Sequence, residues 1–336
     1  MSNAIEVEGL EKTFKGDIRA LCGVTFSVEA GTIFGLLGPN GAGKTTVIRI
    51  LTTILHPDAG AAFVLGHNVA TEAPLVRTLF GLAGQYAAVD EKLTGRENLS
   101  MVGRLNHLDR PTITSRSNEL LDEFQLSDAA DRPLQTYSGG MRRRLDLAAA
   151  LVARPSILFL DEPTTGLDPH SRSELWQIIE GLVESGTTVL LTTQYLEEAD
   201  RLTDHIAIVD HGRVISQGTS AALKAELGTT VLEIGLADVA TAVRAGEALM
   251  TTGSKPPHII DATVELSVDD GPRVAMEALR ALDQMHIEPI TFALREPSLD
   301  DVFLDLTGKP AQPDASEVGP DTAEPRNRRR RTRKSR

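Results

Sequence analysis

Nine consecutive residues, GPNGAGKTT at 38 to 46, carry glycines, a lysine and two threonines at the spacing G-x-x-x-x-G-K-[ST]. That pattern suits the binding of a nucleoside triphosphate. Gly41 and Gly43 let the main chain curl so that its N–H groups face phosphate oxygens. The Lys44 ammonium can reach the β- and γ-phosphates, and the Thr45 hydroxyl is a ligand for Mg²⁺. Gly38, Pro39, Asn40, Gly41, Ala42, Gly43, Lys44, Thr45 and Thr46 therefore form a candidate phosphate cradle, between the apolar strand TIFGLL and the helical pattern TTVIRILTTIL.

A cradle needs an acidic partner to hold the metal and orient water, and ILFLDEP at 157 to 163 supplies one. Four apolar residues predict a buried strand with Asp161 at its carboxyl end, where α/β sheets place their ligands. Asp161 is the expected magnesium partner, and Glu162 is the candidate general base for an attacking water. A second phosphate-like feature, YSGGM, puts Ser138, Gly139 and Gly140 at the start of a long helical pattern, where free N–H groups and the helix dipole attract anions. The chain has one phosphate loop, so this helix start raises the question of whose phosphate it meets. The three arginines after it, at 142 to 144, are expected as a solvated helix face rather than a phosphate clamp.

The elements that must carry these residues follow from periodicity. Short apolar runs (TIFGLLG, SILFLDEP, TTVLLTT, HIAIVDHGRVISQG) alternate with helical patterns over residues 3 to about 226, which predicts a largely parallel sheet covered by helices. Trp176 lies beside the helix face formed by Leu175, Ile178, Ile179 and Leu182 and is expected to pack there. From about residue 228 the pattern becomes β, α, β, α, β, expected as a separate small α+β domain over 227–308. Its SLDDVF segment, with Asp300 and Asp301, is expected to be a capped helix start without catalytic acids. Residues 309–336 read as a disordered spacer, rich in Pro, Ala and acid, ending in an arginine-rich tail.

The 336-residue chain is 41% apolar, enough for true cores, and has a formal charge of −13. The last eleven residues hold seven Arg and one Lys with no acid, so the remainder carries −21. An acidic body disfavours nucleic acid as the ligand of the folded part. Cys22, the single cysteine, forms no internal disulfide and is expected as a small buried hydrophobe. The histidines lack the close spacing of a zinc site. Neither a signal peptide nor a membrane-spanning apolar run is evident, so if the protein works at a membrane another chain is expected to span it.

Taken together, GPNGAGKTT, ILFLDEP and YSGGM resemble the ATPase subunit of ATP-binding-cassette (ABC) transporters over residues 1–226. The resemblance implies a P-loop NTPase fold with a RecA-like core plus a helical subdomain, ATP and Mg²⁺ as ligands, and a head-to-tail homodimer. In such a dimer Ser138, Gly139 and Gly140 touch the ATP held by the other copy. It also implies that Phe14 stacks on adenine, that Gln85 in LAGQYAAVD touches Mg²⁺ and relays the nucleotide state, and that Asp168 in TTGLDP lies on the loop crossing the dimer interface. Where the family usually has a His contacting the γ-phosphate, this chain has Gln194, which can donate a hydrogen bond but cannot carry a charge. Gln194 is expected to sense the γ-phosphate, with Glu162 as the base.

The segments GQYAAVDEKLTGRENL, TTQYLEEADRL and LREPSLDDVFLDLTG are similar to the drug-export subfamily typified by the daunorubicin-resistance ATPase DrrA. That similarity implies a separate multi-pass, DrrB-like permease as partner, a peripheral place on the cytoplasmic face of the cell membrane, and outward movement of an amphipathic drug or secondary metabolite. The stretch from Gln85 to about Leu105 is the expected dock for a permease helix. For the arginine tail three readings stand: contact with anionic lipid, contact with nucleic acid or another acidic partner, and a solvated end. A non-transport ATP-dependent switch is the alternative function.

Overall fold

A computed structural model describes residues 3–84, 89–228 and 230–308. Two long strands, β1 (Asn3–Phe14) and β2 (Ile18–Glu29), pair antiparallel, and β4 (Ala59–Val64) and β5 (His67–Asn68) extend them to a sheet of order β2-β1-β4-β5. The central sheet contains β3 (Ile33–Leu37), β6 (Phe80–Ala83), β7 (Ile157–Asp161), β8 (Thr188–Thr193), β9 (His205–Asp210) and β10 (Arg213–Gly218) in the order β10-β9-β3-β8-β7-β6. All of its pairings are parallel except β9 with β10. Every residue of β3, β7 and β8 is buried, the pattern of a parallel sheet covered on both faces.

The sequence HIAIVDHGRVISQG, expected as a strand, is a hairpin. His211 and Gly212 take positive φ angles of 43° and 74°, which turns the chain between β9 and β10. Cys22 is half-buried rather than buried. Its N–H donates to Gly212 O at 2.8 Å, so backbone pairing rather than packing fixes its place.

Helices close the sheet from both sides. α1 (Lys44–Leu51) leaves the phosphate loop, α2 (Ala73–Val76) precedes β6, and α6 (Pro169–Glu184), α7 (Leu196–Leu202) and α8 (Ser220–Ala225) follow later strands. A helical layer is made by α3 (Gly95–Leu105), α4 (Arg110–Glu123) and α5 (Gly139–Ala150). The first turn of α3 is fixed by a capping box between Thr94 and Glu97. One apolar core, including Leu99, Leu120, Phe124, Leu145, Leu158 and Trp176, joins this layer to the sheet. A second, including Leu10, Val24, Phe34, Ile48 and Phe159, lies between the two sheets and α1.

The C-terminal sheet has the order β12-β13-β11-β14, built from β11 (Thr230–Gly235), β12 (His258–Ile260), β13 (Thr263–Val268) and β14 (Thr291–Arg295). The HIIDATVELSV run breaks into two strands because Asp261, at φ 51°, turns the chain. Helices α9 (Val239–Ala248) and α10 (Gly271–Gln284) cover the sheet with Ala242, Ala245, Val274, Ala278 and Leu282.

The last helix, α11 (Leu299–Thr307), starts with a capping box between Ser298 and Asp301, as its sequence predicts. Its Leu299, Val302 and Phe303 pack against Leu196 and Ala199 of α7 and against Leu223 and Leu227. Arg295 fastens the other side of α11, meeting Asp301 Oδ2 at 2.6 Å, Glu265 at 2.8 Å and Glu233 at 3.2 Å. Among the described residues no helix is long and apolar enough to cross a membrane.

Candidate functional site

The phosphate loop connects β3 to α1 at the carboxyl end of the central sheet, where α/β folds place their ligands. Gly41 and Gly43 adopt φ angles of 84° and 110°, which L-residues with side chains seldom take. At Gly43 a Cβ would also lie 2.5 Å from Ala20 O, and at Gly38 it would strike Val209 O. The loop therefore excludes side chains at Gly38 and Gly43, where its backbone packs against Val209 and Ala20. Ala42 is buried beneath it.

Lys44 folds over this loop, donating from Nζ to Gly38 O at 2.5 Å and Pro39 O at 3.0 Å. Glu162 Oε1 lies 3.8 Å from the same ammonium. Burial pushes the Lys44 pKa below its ordinary value, opposed by the charges of Glu162 and Asp161. A buried ammonium facing curled backbone is suited to an anion.

Asp161 ends β7 and joins three elements. Its Oδ1 accepts from Thr45 Oγ1 at 3.1 Å on α1 and from Thr192 Oγ1 at 2.6 Å on β8. A hydroxyl beside a carboxylate oxygen is a hard-oxygen pair, and it fits Mg²⁺, which is usually held by few protein ligands plus phosphate and water. Thr46 follows Thr45 on α1.

Glu162, the next residue, has the left-handed φ of 50°, a conformation costly for a non-glycine residue and found at functional sites. Its N–H is anchored by both Thr192 O and Thr192 Oγ1, each at 3.1 Å. Its Oε2 accepts from Thr165 Oγ1 at 3.4 Å. Phosphate loop, metal candidates and base candidate thus converge.

Ser138 is the N-cap of α5, accepting from Met141 N at 3.2 Å, and Gly139 and Gly140 form the first turn. Gly140 abuts α6, because a Cβ there would lie 2.6 Å from Ser171 Oγ. Asp168 caps α6, accepting from Ser171 N at 3.0 Å and Ser171 Oγ at 2.7 Å, and these bonds lower its pKa. An open cleft of about 330 Å³ between the start of α5 and the turn after β7 is lined by Gly139, Arg143, Glu162, Thr165 and Gly166 among others.

Phe14 ends β1 opposite Ile18 with 38% of its surface exposed, so its ring is available to a ligand. Gln194 follows β8, and its Oε1 is buried without a hydrogen-bond partner among the described residues. Gln85 lies outside the described residues, as does the arginine tail.

Two residues went unnoticed or misread in the sequence. The expectation of a solvated face fails at Arg143, whose guanidinium turns inward to donate to the carbonyls of Pro163, Gly84 and Glu162 at 2.6, 2.6 and 3.1 Å. The reason is acceptor supply, since the turn after β7 presents the carbonyls of Glu162 and Pro163 within reach of one guanidinium, and Thr165 N is the other donor to Glu162 O, at 3.4 Å. Glu198, on α7, is completely buried, and Trp176 Nε1 donates to its Oε1 at 3.1 Å. Burial raises the Glu198 pKa, partly offset by hydrogen bonds and the charge of Arg172. In the sequence Glu198 is one of two adjacent acids on a short helix; only its place four residues after Gln194 distinguishes it.

The sequence profile described as ABC transporter matches residues 21–165, and a profile described as ATP-binding protein DrrA1-3-like, C-terminal domain, matches residues 218–307. The chain is 51% identical to a daunorubicin/doxorubicin resistance ATP-binding protein DrrA of Streptomyces peucetius, covering 94% of this chain and 96% of that one. It is 45% identical to a doxorubicin resistance ATP-binding protein DrrA of Mycobacterium tuberculosis, over 92% of this chain and 95% of that one. A Nod factor export ATP-binding protein I of Ralstonia nicotianae is 40% identical, over 91% and 94%. Among solved structures, an ATP-binding subunit of an ABC transporter superposes with a TM-score of 0.60 at 29% identity, covering 66% of this chain and 92% of that one. The protein therefore belongs to the ATP-binding subunits of ABC transporters and is an ATPase, similar over nearly its whole length to members of the drug-resistance group.

Proposed function

We propose that this ATPase drives efflux of an amphipathic drug, antibiotic or secondary metabolite through a separate multi-pass permease, DrrB-like in kind, from the cytoplasmic face of the membrane. The observation that carries the chemistry is the convergence of Thr45, Asp161, Thr192 and Glu162 beneath the Lys44 loop. Residues Gly38 to Thr46 hold the phosphates and Phe14 stacks on adenine. Thr45 and Asp161, with Gln85, hold Mg²⁺, which when bound neutralises phosphate charge. Glu162 takes the proton of the attacking water, and Gln194 hydrogen-bonds the γ-phosphate.

The phosphate loop leads into α1 and not into α5, and the start of α5 is assigned the ligand of a second copy. Head-to-tail pairing puts Ser138, Gly139 and Gly140 on the partner's ATP, with Asp168 on the shared boundary. ATP then acts as a differential ligand, stabilising the closed dimer over the open one. A groove along α3, lined by Leu93, Arg96, Glu97, Met101, Arg104 and Leu105, suits a permease helix. Leu105 is 71% exposed there, an apolar surface at the end of a polar helix. The arginine tail would add an electrostatic contact with anionic lipid.

The test is drug retention in cells expressing the chain with the permease encoded beside it. Retention of a fluorescent anthracycline should fall with the wild type and not with Glu162→Gln. Equal retention in both, with the two proteins expressed and associated, contradicts export of this class of cargo.

A further inference from the structure

The three arginines of α5 have different partners. Arg142 reaches outward to Glu91 Oε1 at 2.8 Å, and Arg144 donates to Phe124 O at 3.3 Å within the helical layer. Arg143 alone crosses to the catalytic turn. Its Nε donates to Pro163 O at 2.6 Å, its Nη2 to Glu162 O at 3.1 Å and Asp161 O at 3.4 Å, and its Nη1 to Gly84 O at 2.6 Å. Asp146, buried one turn along α5, lies 3.5 Å from Nη1 and steadies the guanidinium from behind.

These acceptors are not interchangeable surface carbonyls. Three belong to consecutive residues around the strained Glu162 peptide, and the fourth belongs to Gly84, the residue that precedes Gln85. A planar fork of donors satisfies all of them together, which a lysine ammonium cannot do with the same geometry. Glu162 is therefore held from two directions. Thr192 fixes its N–H, and Arg143 fixes its carbonyl. The second anchor rides on the helix whose first residues follow Ser138.

We propose that Arg143 is a positioning residue that couples the seating of α5 on the partner's ATP to the alignment of Glu162 in its own chain. The inference rests on the dimer reading above. When α5 shifts toward the partner's phosphate, the fork must carry the Asp161–Pro163 turn and the root of the Gln85 segment with it. Misplacement of a reacting group by about 1 Å costs on the order of 100-fold in rate, so a small displacement is enough to gate hydrolysis. Each site thereby becomes competent when the other is filled, a coupling free energy between two sites.

The experiment compares wild type, Arg143→Lys, Arg143→Met and Glu162→Gln as purified full chains. Affinity for a fluorescent ATP analogue, turnover against ATP concentration, and thermal unfolding are measured for each. The expected result for both Arg143 variants is a folded protein with nucleotide affinity within about threefold of wild type, turnover reduced by roughly 30-fold or more, and a Hill coefficient lowered toward one. Turnover within about threefold of wild type overturns the inference. So does loss of nucleotide binding in step with turnover, or failure of both variants to fold, since either makes Arg143 a stability residue. If Glu162→Gln hydrolyses ATP normally, the assignment of the base fails; if it is inactive while the Arg143 variants are normal, the coupling alone fails.

Discussion

Thr45 donates its hydroxyl to Asp161 Oδ1 at 3.1 Å across 116 residues of chain, and Thr192 donates to the same oxygen at 2.6 Å. One carboxylate oxygen thus registers α1, β7 and β8 against each other at the mouth of the phosphate loop. In Asp161→Asn the amide oxygen can still accept both hydroxyls while the charge is gone. Turnover should fall by about 10²–10³, the scale of removing one electrostatic partner from a reacting centre. The melting temperature should move by only a few degrees. An ATPase assay with a thermal melt separates the two effects, and normal turnover would remove Asp161 from the chemistry.

Glu198 makes stability depend on pH. Burial raises its folded pKa above the unfolded value of 4.5, with the Arg172 charge as a smaller opposing effect. A raised acid pKa means that the folded state binds the proton more tightly than the unfolded chain. Its contribution is therefore complete below the unfolded pKa and is lost as pH rises through the folded one. Glu198→Gln keeps an acceptor for Trp176 Nε1 without an ionisable group. The melting temperature of the wild type should decline relative to that of the variant as pH rises above the unfolded value of 4.5. A pH-independent difference would show that the hydrogen bonds of Glu198 with Thr193, Trp176 and Thr164, together with the Arg172 charge, cancel the effect of burial.

Arg295 gathers Asp301, Glu265 and Glu233 around one guanidinium, and the hydrogen bonds it donates to Asp301 hold its pKa above the ordinary arginine value. Arg295→Ala leaves three carboxylates facing each other between β11, β13 and α11. Because the cluster is partly exposed, the cost should be about 1–3 kcal/mol. Urea unfolding measures it, and proteolysis should show α11 released first. A loss near zero would mean that the apolar contacts of Leu299, Val302 and Phe303 hold α11 unaided.

The parts of this molecule that were legible in the sequence are those written in local runs. IFGLL, ILFLD and TVLLTT are uninterrupted because parallel strands are buried on both faces, and the loop at 38 to 46 is contiguous because phosphate is wrapped by successive N–H groups. Ser138 and Ser298 announce their helices because caps act within one turn, whereas the capping role of Asp168 goes unread. The turn at Asp261 carries no glycine, and the one at His211–Gly212 lacks the Asn-Gly or Asp-Gly pair of a typical hairpin, so both read as continuous strand. The inward reach of Arg143 and the burial of Glu198 are set by carbonyls and an indole contributed from distant segments, about which an arginine run or an acidic pair carries no local mark.

Glu162, held at φ 50° beside Lys44, is proposed to activate the water that attacks the γ-phosphate. The most direct test of this role is steady-state hydrolysis by Glu162→Gln with Mg-ATP, read together with the mass of the complex in solution. Turnover should fall by at least about 100-fold, as for removal of a general base, and an ATP-bound dimer should persist because it cannot be hydrolysed apart. Wild-type turnover by the variant, or a chain that stays monomeric at saturating ATP, would contradict the proposal.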